Sequence, residues 1–157
     1  FPMQFGRVVT GHDADGNAIV KSDEVVGTTP LREGVNAKVM WTTEGFPVDN
    51  GGNADESLRV TGTFHPNGTV FRLVEFLPGA QPRNHRTDSI DYAVVVSGEI
   101  HMELDKETAV LRAGDVLVQR GAIHNWVNKG PGPCVVAFVL IDAKPVDVGG
   151  KVLHAAG

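Results

Sequence analysis

Glycine and proline constrain this chain more than any other feature. Nineteen Gly and nine Pro are spread along 157 residues. Glycine weakens helix interiors, and proline removes a backbone donor there. Punctuation this dense excludes a helical bundle and leaves short strands joined by turns. The apolar segments between the punctuation agree. Residues 69–77 run into Pro78 and Gly79, and residues 92–96 run into Ser97 and Gly98. Residues 99–104 alternate Ile100, Met102 and Leu104 against Glu99, His101 and Glu103, the period of a strand with one buried face. Val110 and Leu111 precede Ala113 and Gly114, residues 116–119 precede Arg120 and Gly121, and residues 134–141 form a long apolar run. Nearer the start, residues 7–10 and 18–20 flank a turn at residues 13–17, a predicted hairpin. Residues 35–43 predict a strand with Val35, Ala37, Val39 and Trp41 on one face. Residues 49–57 are polar and Gly-rich, bury nothing, and predict a mobile loop. The result is an all-β antiparallel sandwich or barrel. Its parts are a hairpin extension over 1–34, the barrel over 35–145 and a tail over 146–157.

Charge and cysteine content narrow the partners. Lys and Arg number 14 against 19 Asp and Glu, a net charge of −5. The basic residues are scattered, which disfavours a nucleic-acid surface. No apolar run approaches the ~18 residues of a membrane span. A chain of this length buries roughly 68–70% of its unfolded surface, so its core needs neither disulfide nor metal. Cys134 has no second cysteine to pair with and sits among apolar residues, as a small buried hydrophobe does. Phe1, Pro2 and Met3 show no signal-peptide pattern. With the lone cysteine, that predicts a cytoplasmic location.

Two punctuated segments carry the chemistry. The first holds Gly79, His85, Thr87, Asp91 and Gly98; the second holds Gly114, His124 and Asn128. At these spacings the chain resembles the cupin superfamily. Gly79, His85, Asp91 and Gly98 match the first cupin motif. Gly114, His124 and Asn128 match the second with one residue deleted before the histidine, and 15 residues separate Gly98 from Gly114, as in compact cupins. The resemblance spans about residues 70–141 and implies a cupin-type double-stranded β-helix, or jelly-roll barrel, with an N-terminal strand extension. It also implies one divalent metal ion, Zn, Fe, Mn or Ni, on His85, Asp91 and His124. Three departures stand out: Thr87 replaces the second histidine of the first motif, Asp91 replaces the longer glutamate, and Arg120 replaces a proline. Residues 85, 87 and 91 share parity, so on an extended segment they line one face. Two imidazoles and a carboxylate with open positions are a donor set for catalytic transition metals. The hydroxyl of Thr87 is a poor ligand but hydrogen-bonds water or substrate.

Each candidate has a plainer alternative. His85 and His124 are either ligands or acid–base groups, or else core histidines satisfied by hydrogen bonds. Asp91 either faces the site or bonds neighbouring backbone or Arg86. Thr87 either contacts substrate or marks a lost metal site. Tyr92 and Trp126 offer a stacking wall for a flat substrate or ordinary barrel packing. Arg72 and Glu75 interrupt an apolar strand on opposite faces. An inward Arg72 holds a substrate carboxylate or enolate, and an inward Glu75 acts as a base. Gln119, after a buried-looking strand, is a further substrate contact. Trp41 caps either the pocket or a dimer interface, since such strands in small cupins often cross to a second subunit. His101 alternates against an apolar face and reads as surface, His12 lies beside a turn, and His65 and His154 lack partners at a recognisable spacing.

Three functions follow. The leading one is a lyase, a dehydratase or decarboxylase acting on a small carbonyl, aromatic or polyketide-like compound, with metal or His/Asp acid–base assistance. The second is an Fe(II)-dependent dioxygenase using a two-histidine, one-carboxylate site. The third is a non-catalytic small-molecule-binding barrel with a degenerate metal site. A homodimer is expected in each case.

Overall fold

Burial alternates along the strand Ser89–Ser97: Ser89, Asp91, Ala93 and Val95 are buried, while Tyr92, Val94 and Val96 are exposed. Strands of this kind build the whole molecule, seen here as a computed structural model describing residues 3–157. Phe1 and Pro2, where the absence of a leader pattern was read, lie outside the described residues.

In chain order the strands are β1 (Gln4–His12), β2 (Ala18–Gly27), β3 (Thr29–Arg32), β4 (Val35–Glu44), β5 (Gly68–Phe76), β6 (Ser89–Ser97) and β7 (Glu99–Glu103). They continue with β8 (Thr108–Arg112), β9 (Val116–Arg120), β10 (Asn125–Val127), β11 (Cys134–Asp142), β12 (Val146–Val148) and β13 (Lys151–Leu153). Among the described residues the helical content is one 3-10 turn, Glu56–Leu58.

A six-stranded antiparallel sheet, in the order β3-β4-β5-β11-β6-β9, faces a three-stranded sheet, β10-β7-β8. Strand β11 enters between β5 and β6, the long return connection of a jelly roll. Side chains from both sheets form one core cluster: Val74, Phe76, Val95, Val136 and Phe138 from the larger sheet meet Ile100, Met102 and Trp126 from the smaller. Cys134 is buried in that cluster and free, as its surroundings predicted. The fold is therefore the all-β jelly-roll barrel. Gly98 shows why its position is a reliable landmark. It turns β6 into β7 at φ 80°, and a Cβ there would lie 2.5 Å from the Pro133 carbonyl oxygen, so both conformation and space demand glycine.

The structure departs from the sequence expectation in four places. First, β4 contains a bulge between Val39, paired with Arg72, and Trp41, paired with Phe71. The extra residue, Met40, is buried, and Trp41 moves to the face of Phe71, away from Val35 and Val39. Second, β3 forms an edge strand despite Pro30, which an edge tolerates. Third, the tail folds into the hairpin β12–β13. Fourth, the polar segment 49–57 is tied down. Lys21 Nζ donates to Asn53 Oδ1 at 2.8 Å, Arg7 pairs with Asp55 at 3.4 Å, and Thr42 donates to the Glu56 carbonyl. Polar residues without apolar surface still order a loop when each finds a partner.

Candidate functional site

Two histidines are joined through their backbones at one end of the barrel. The His85 N–H donates to the His124 carbonyl at 2.9 Å, and the His124 N–H returns the bond at 2.9 Å. This bridge sets the two rings 4.4 Å apart. The Nδ1–H of each ring donates to a carbonyl two residues earlier, His85 to Arg83 at 3.0 Å and His124 to Ala122 at 2.8 Å. A carbonyl only accepts, so each Nδ1 carries the proton and each Nε2 keeps a free lone pair. Burial holds His85 down at about 4, against the bond to the Arg83 carbonyl, and burial also lowers His124. His85 is therefore neutral at pH 7, and burial disfavours the charged form of His124.

Across the cavity, β6 supplies a carboxyl. Asp91 is 4% exposed. Its Oδ1 accepts from Ser89 Oγ at 2.6 Å, and the Ser89 and Thr87 hydroxyls are 2.8 Å apart. Since Ser89 spends its proton on Asp91, Thr87 donates to Ser89. Ser89 and Asp91 lie on one face of β6, and Thr87 precedes that strand by two residues. Burial pushes Asp91 up to about 6; the Ser89 bond and the charge of Arg72 pull the other way.

The remaining wall combines aromatic rings with guanidinium groups. Trp126 meets the His124 ring edge-on at 5.6 Å and Phe138 at 5.7 Å. Arg72 points inward from β5, where its Nη2 donates to the Gly62 carbonyl at 3.2 Å while its buried Nε has no partner. Arg32 and Arg83 also line the cavity, which encloses about 60 Å³.

The comparisons with known proteins converge on these strands. A cupin-domain family profile matches residues 72–141, from Arg72 in β5 to Ile141 in β11. A cupin-domain-containing oxidoreductase, fogC of Aspergillus ruber, is 36% identical over 155 residues, covering 92% of this chain and 76% of its own. The chain is a cupin. Phomopsin biosynthesis cluster protein D of Diaporthe leptostromiformis is 36% identical over 164 residues, covering 94% of this chain and 83% of its own. An RmlC-like cupin from Shewanella frigidimarina shares the fold, with a TM-score of 0.50 at 16% identity over 74% of this chain and 83% of its own.

The structure of this cupin brings together His85, Thr87, Asp91, His124, Arg72 and Trp126 around one cavity. Three expected contacts do not reach it. Tyr92 follows Asp91 directly and therefore points outward, 51% exposed. Trp41 is carried to the outer face by the β4 bulge. Gln119 is buried but occupied: Nε2 donates to Met102 Sδ at 3.2 Å, and Oε1 accepts from the Ala122 N–H at 3.2 Å. It braces the turn that carries His124. Glu75 lies on the face opposite Arg72 and accepts from Asn36 Nδ2 at 2.8 Å. Arg86 donates to the Gly121 carbonyl at 3.0 Å rather than to Asp91. Of the histidines set aside, His65 finds Glu44 at 2.6 Å, far from the cavity chemistry. Ser89, Arg32 and Arg83 were missed. Ser89 shares the parity of Asp91 on β6, so alternation carried its signal; Arg83 lies outside any strand and carried none.

The donor set does not fit a protein-held three-ligand metal site. Among the described residues, no three His, Cys, Asp or Glu side chains are disposed to hold an ion. His85 and His124 offer two nitrogens, Thr87 has no charge to contribute, and Asp91 is not grouped with the two rings as a third ligand. A catalytic zinc-type site takes three protein ligands. Among the described residues, no helix is long and apolar enough to cross a membrane.

Proposed function

We propose that this cupin is a lyase that dehydrates a small β-hydroxy carbonyl compound by acid–base chemistry in the barrel. The carrying observation is the juxtaposition, in one small cavity, of the Thr87–Ser89–Asp91 hydroxyl–carboxyl chain with two imidazoles whose Nε2 lone pairs are free. In this reading one Nε2 takes the proton α to the carbonyl, and the C–H electron pair forms the new C=C bond. The Asp91 carboxyl gives its proton to the departing hydroxyl, which leaves as water. The imidazolium then returns its proton to the Asp91 carboxylate, closing the cycle without an oxidant. The guanidinium groups of the wall offset the negative charge that gathers on the carbonyl oxygen. Relatives named for the phomopsin and oryzines biosynthesis clusters support a biosynthetic small molecule as substrate. Turnover of a β-hydroxy carbonyl substrate, followed by absorbance of the conjugated product, should be equal with and without air. Oxygen-dependent turnover would overturn the reading.

A second reading is favoured by the relatives from Aspergillus ruber, Neurospora crassa and Hypocrea virens, which are named oxidoreductases. Under it the same cavity orients a substrate toward an oxidant. Stoichiometric consumption of O2 or of a nicotinamide cofactor during turnover would select it. Iron-dependent O2 uptake would make it a dioxygenase, and ligand binding without any turnover would leave a binding barrel.

A second copy of the chain is the proposed macromolecular partner. The outer face of the six-stranded sheet exposes Phe71, Tyr92, Val94, Val116 and Val118 in adjacent register, and the β1–β2 ribbon exposes Val8, Val20 and Val25. One chain thus carries two uncovered apolar surfaces, and a homodimer in which each ribbon covers the other's sheet would bury both. Light scattering on the eluting protein should give twice the 16.7 kDa chain mass; a monomer at micromolar concentration would remove the proposal.

A further inference from the structure

The charges around the cavity do not balance. Arg32, Arg72 and Arg83 line it, and Asp91 is the carboxyl that faces them. An imidazole adds no negative charge in either protonation state, so the wall carries an excess of positive charge even when Asp91 is ionised. None of the three guanidiniums makes an ion pair among the described residues. Their donors go to neutral carbonyls instead: Arg32 Nε to Gln81 at 3.3 Å, Arg72 Nη2 to Gly62 at 3.2 Å, and Arg83 Nη2 to Gly157 at 3.0 Å. The Arg72 Nε is buried with no acceptor at all.

That arrangement costs stability. A buried donor without an acceptor loses its hydration and gains nothing in return. Burial disfavours the charged form of Arg72 and Arg32, and the charge of Arg83 weighs against both. Arg59 shows the contrast on the same chain: its guanidinium is paired with both Glu44 and Glu56. The cavity arginines are left unneutralised, and what would neutralise them is an anion brought from outside. A guanidinium presents a planar fork of N–H donors that matches a carboxylate in shape. The cavity is open on one side, so a small acid can reach this wall.

We propose that the ligand of this cavity is a small organic carboxylate, its anionic group bound by Arg72 with the charges of Arg32 and Arg83 beside it. This rests on the reading that the barrel cavity is the substrate site, and narrows the substrate from a carbonyl compound to a carbonyl acid. The acid group would lie at the arginine wall, leaving its reacting carbons for Asp91 and the imidazoles.

The test compares each acid with its uncharged amide of nearly the same shape: crotonate with crotonamide, and benzoate with benzamide. Calorimetric titration of the full chain should show each carboxylate binding at least about tenfold more tightly than its amide, as expected for a hydrogen bond to a charged group. Arg72→Gln should remove most of that preference, and Arg83→Gln, at the same wall, should reduce it. Equal affinity for acid and amide, failure of every carboxylate to bind, or preserved preference in both variants would overturn the proposal. Inorganic phosphate binding more tightly than every carboxylate would overturn it as well. Carboxylate preference with no dehydration leaves this inference standing and sinks the lyase reading; dehydration of neutral substrates with no such preference does the reverse.

Discussion

The two faces of β5 and β6 invert the usual arrangement. Inward, these strands present Arg72 and Asp91 to the cavity, while outward they present Phe71, Tyr92 and Val94 to solvent. Further along the same inner face the pattern is conventional, with Val74, Phe76 and Val95 packed on Ile100 and Met102. The inversion is therefore local to one end of the barrel. Apolar burial stabilises the closed end, so the open end can carry polar groups that only a ligand satisfies. Alternation says which side a residue faces; departure from inside-apolar, outside-polar says what that side meets.

The largest effect should come from the inner polar set. Replacing His85 and His124 together by Ala, or Asp91 by Asn, should lower the dehydration rate by about 10²–10⁴-fold, measured as initial rates on folded protein. A rate within a few-fold of wild type would mean that the inner face is polar for some other reason. Next, Ile100→Ala at the closed end should cost about 2–5 kcal/mol in urea unfolding, because it opens a cavity in a fully buried cluster.

A pH series sharpens the contrast within the inner face. Asp91, raised to about 6 from 3.8, binds its proton more tightly when folded, so its contribution declines as pH rises from about 4 to about 6. His85, lowered to about 4 from 6.5, makes stability climb through nearly the same window. The two slopes oppose each other in the native chain. Asp91→Asn should leave the histidine slope alone, so that the variant gains about 2 kcal/mol between pH 4 and 6.5, read as a rising Tm. A flat profile in the variant would sink this account. The smallest thermodynamic effect belongs to the outer face: Val118→Ser and Tyr92→Ser should change monomer stability by about 0.5 kcal/mol or less, yet shift the elution of the proposed dimer toward monomer.

Much of this architecture was legible before any coordinates. Alternation in residues 99–104 and the turn glycines located β7 and its neighbours, and Gly98 proved to be a position where only glycine fits. The site was legible where it followed strand parity, as for Asp91 on β6. It was illegible where nearness along the chain was taken for nearness in space: Tyr92 adjoins Asp91 and, for that reason, faces away from it. No glycine or proline marks the β4 bulge, so the shift of Trp41 left no trace in the pattern. Arg32 and Arg83 escaped notice because charged residues are read as surface by default. The expected three-ligand set followed from the cupin resemblance, with the shared parity of residues 85, 87 and 91 as partial support. In the structure His85 sits in an isolated bridge and β6 begins only at Ser89, so the side chains share one cavity without forming a three-ligand group.

The clip between His85 and His124 is made of peptide groups, which every residue except proline can supply. Its two bonds hold whatever the side chains are. The rings are thus mounted on a frame that does not depend on them. Exchanging an imidazole for an amide or a carboxylate would change what the socket grips while leaving the socket in place. The chemistry of this barrel is in that sense modular: its scaffold is written in the backbone, and its reactivity in side chains that can be replaced one at a time.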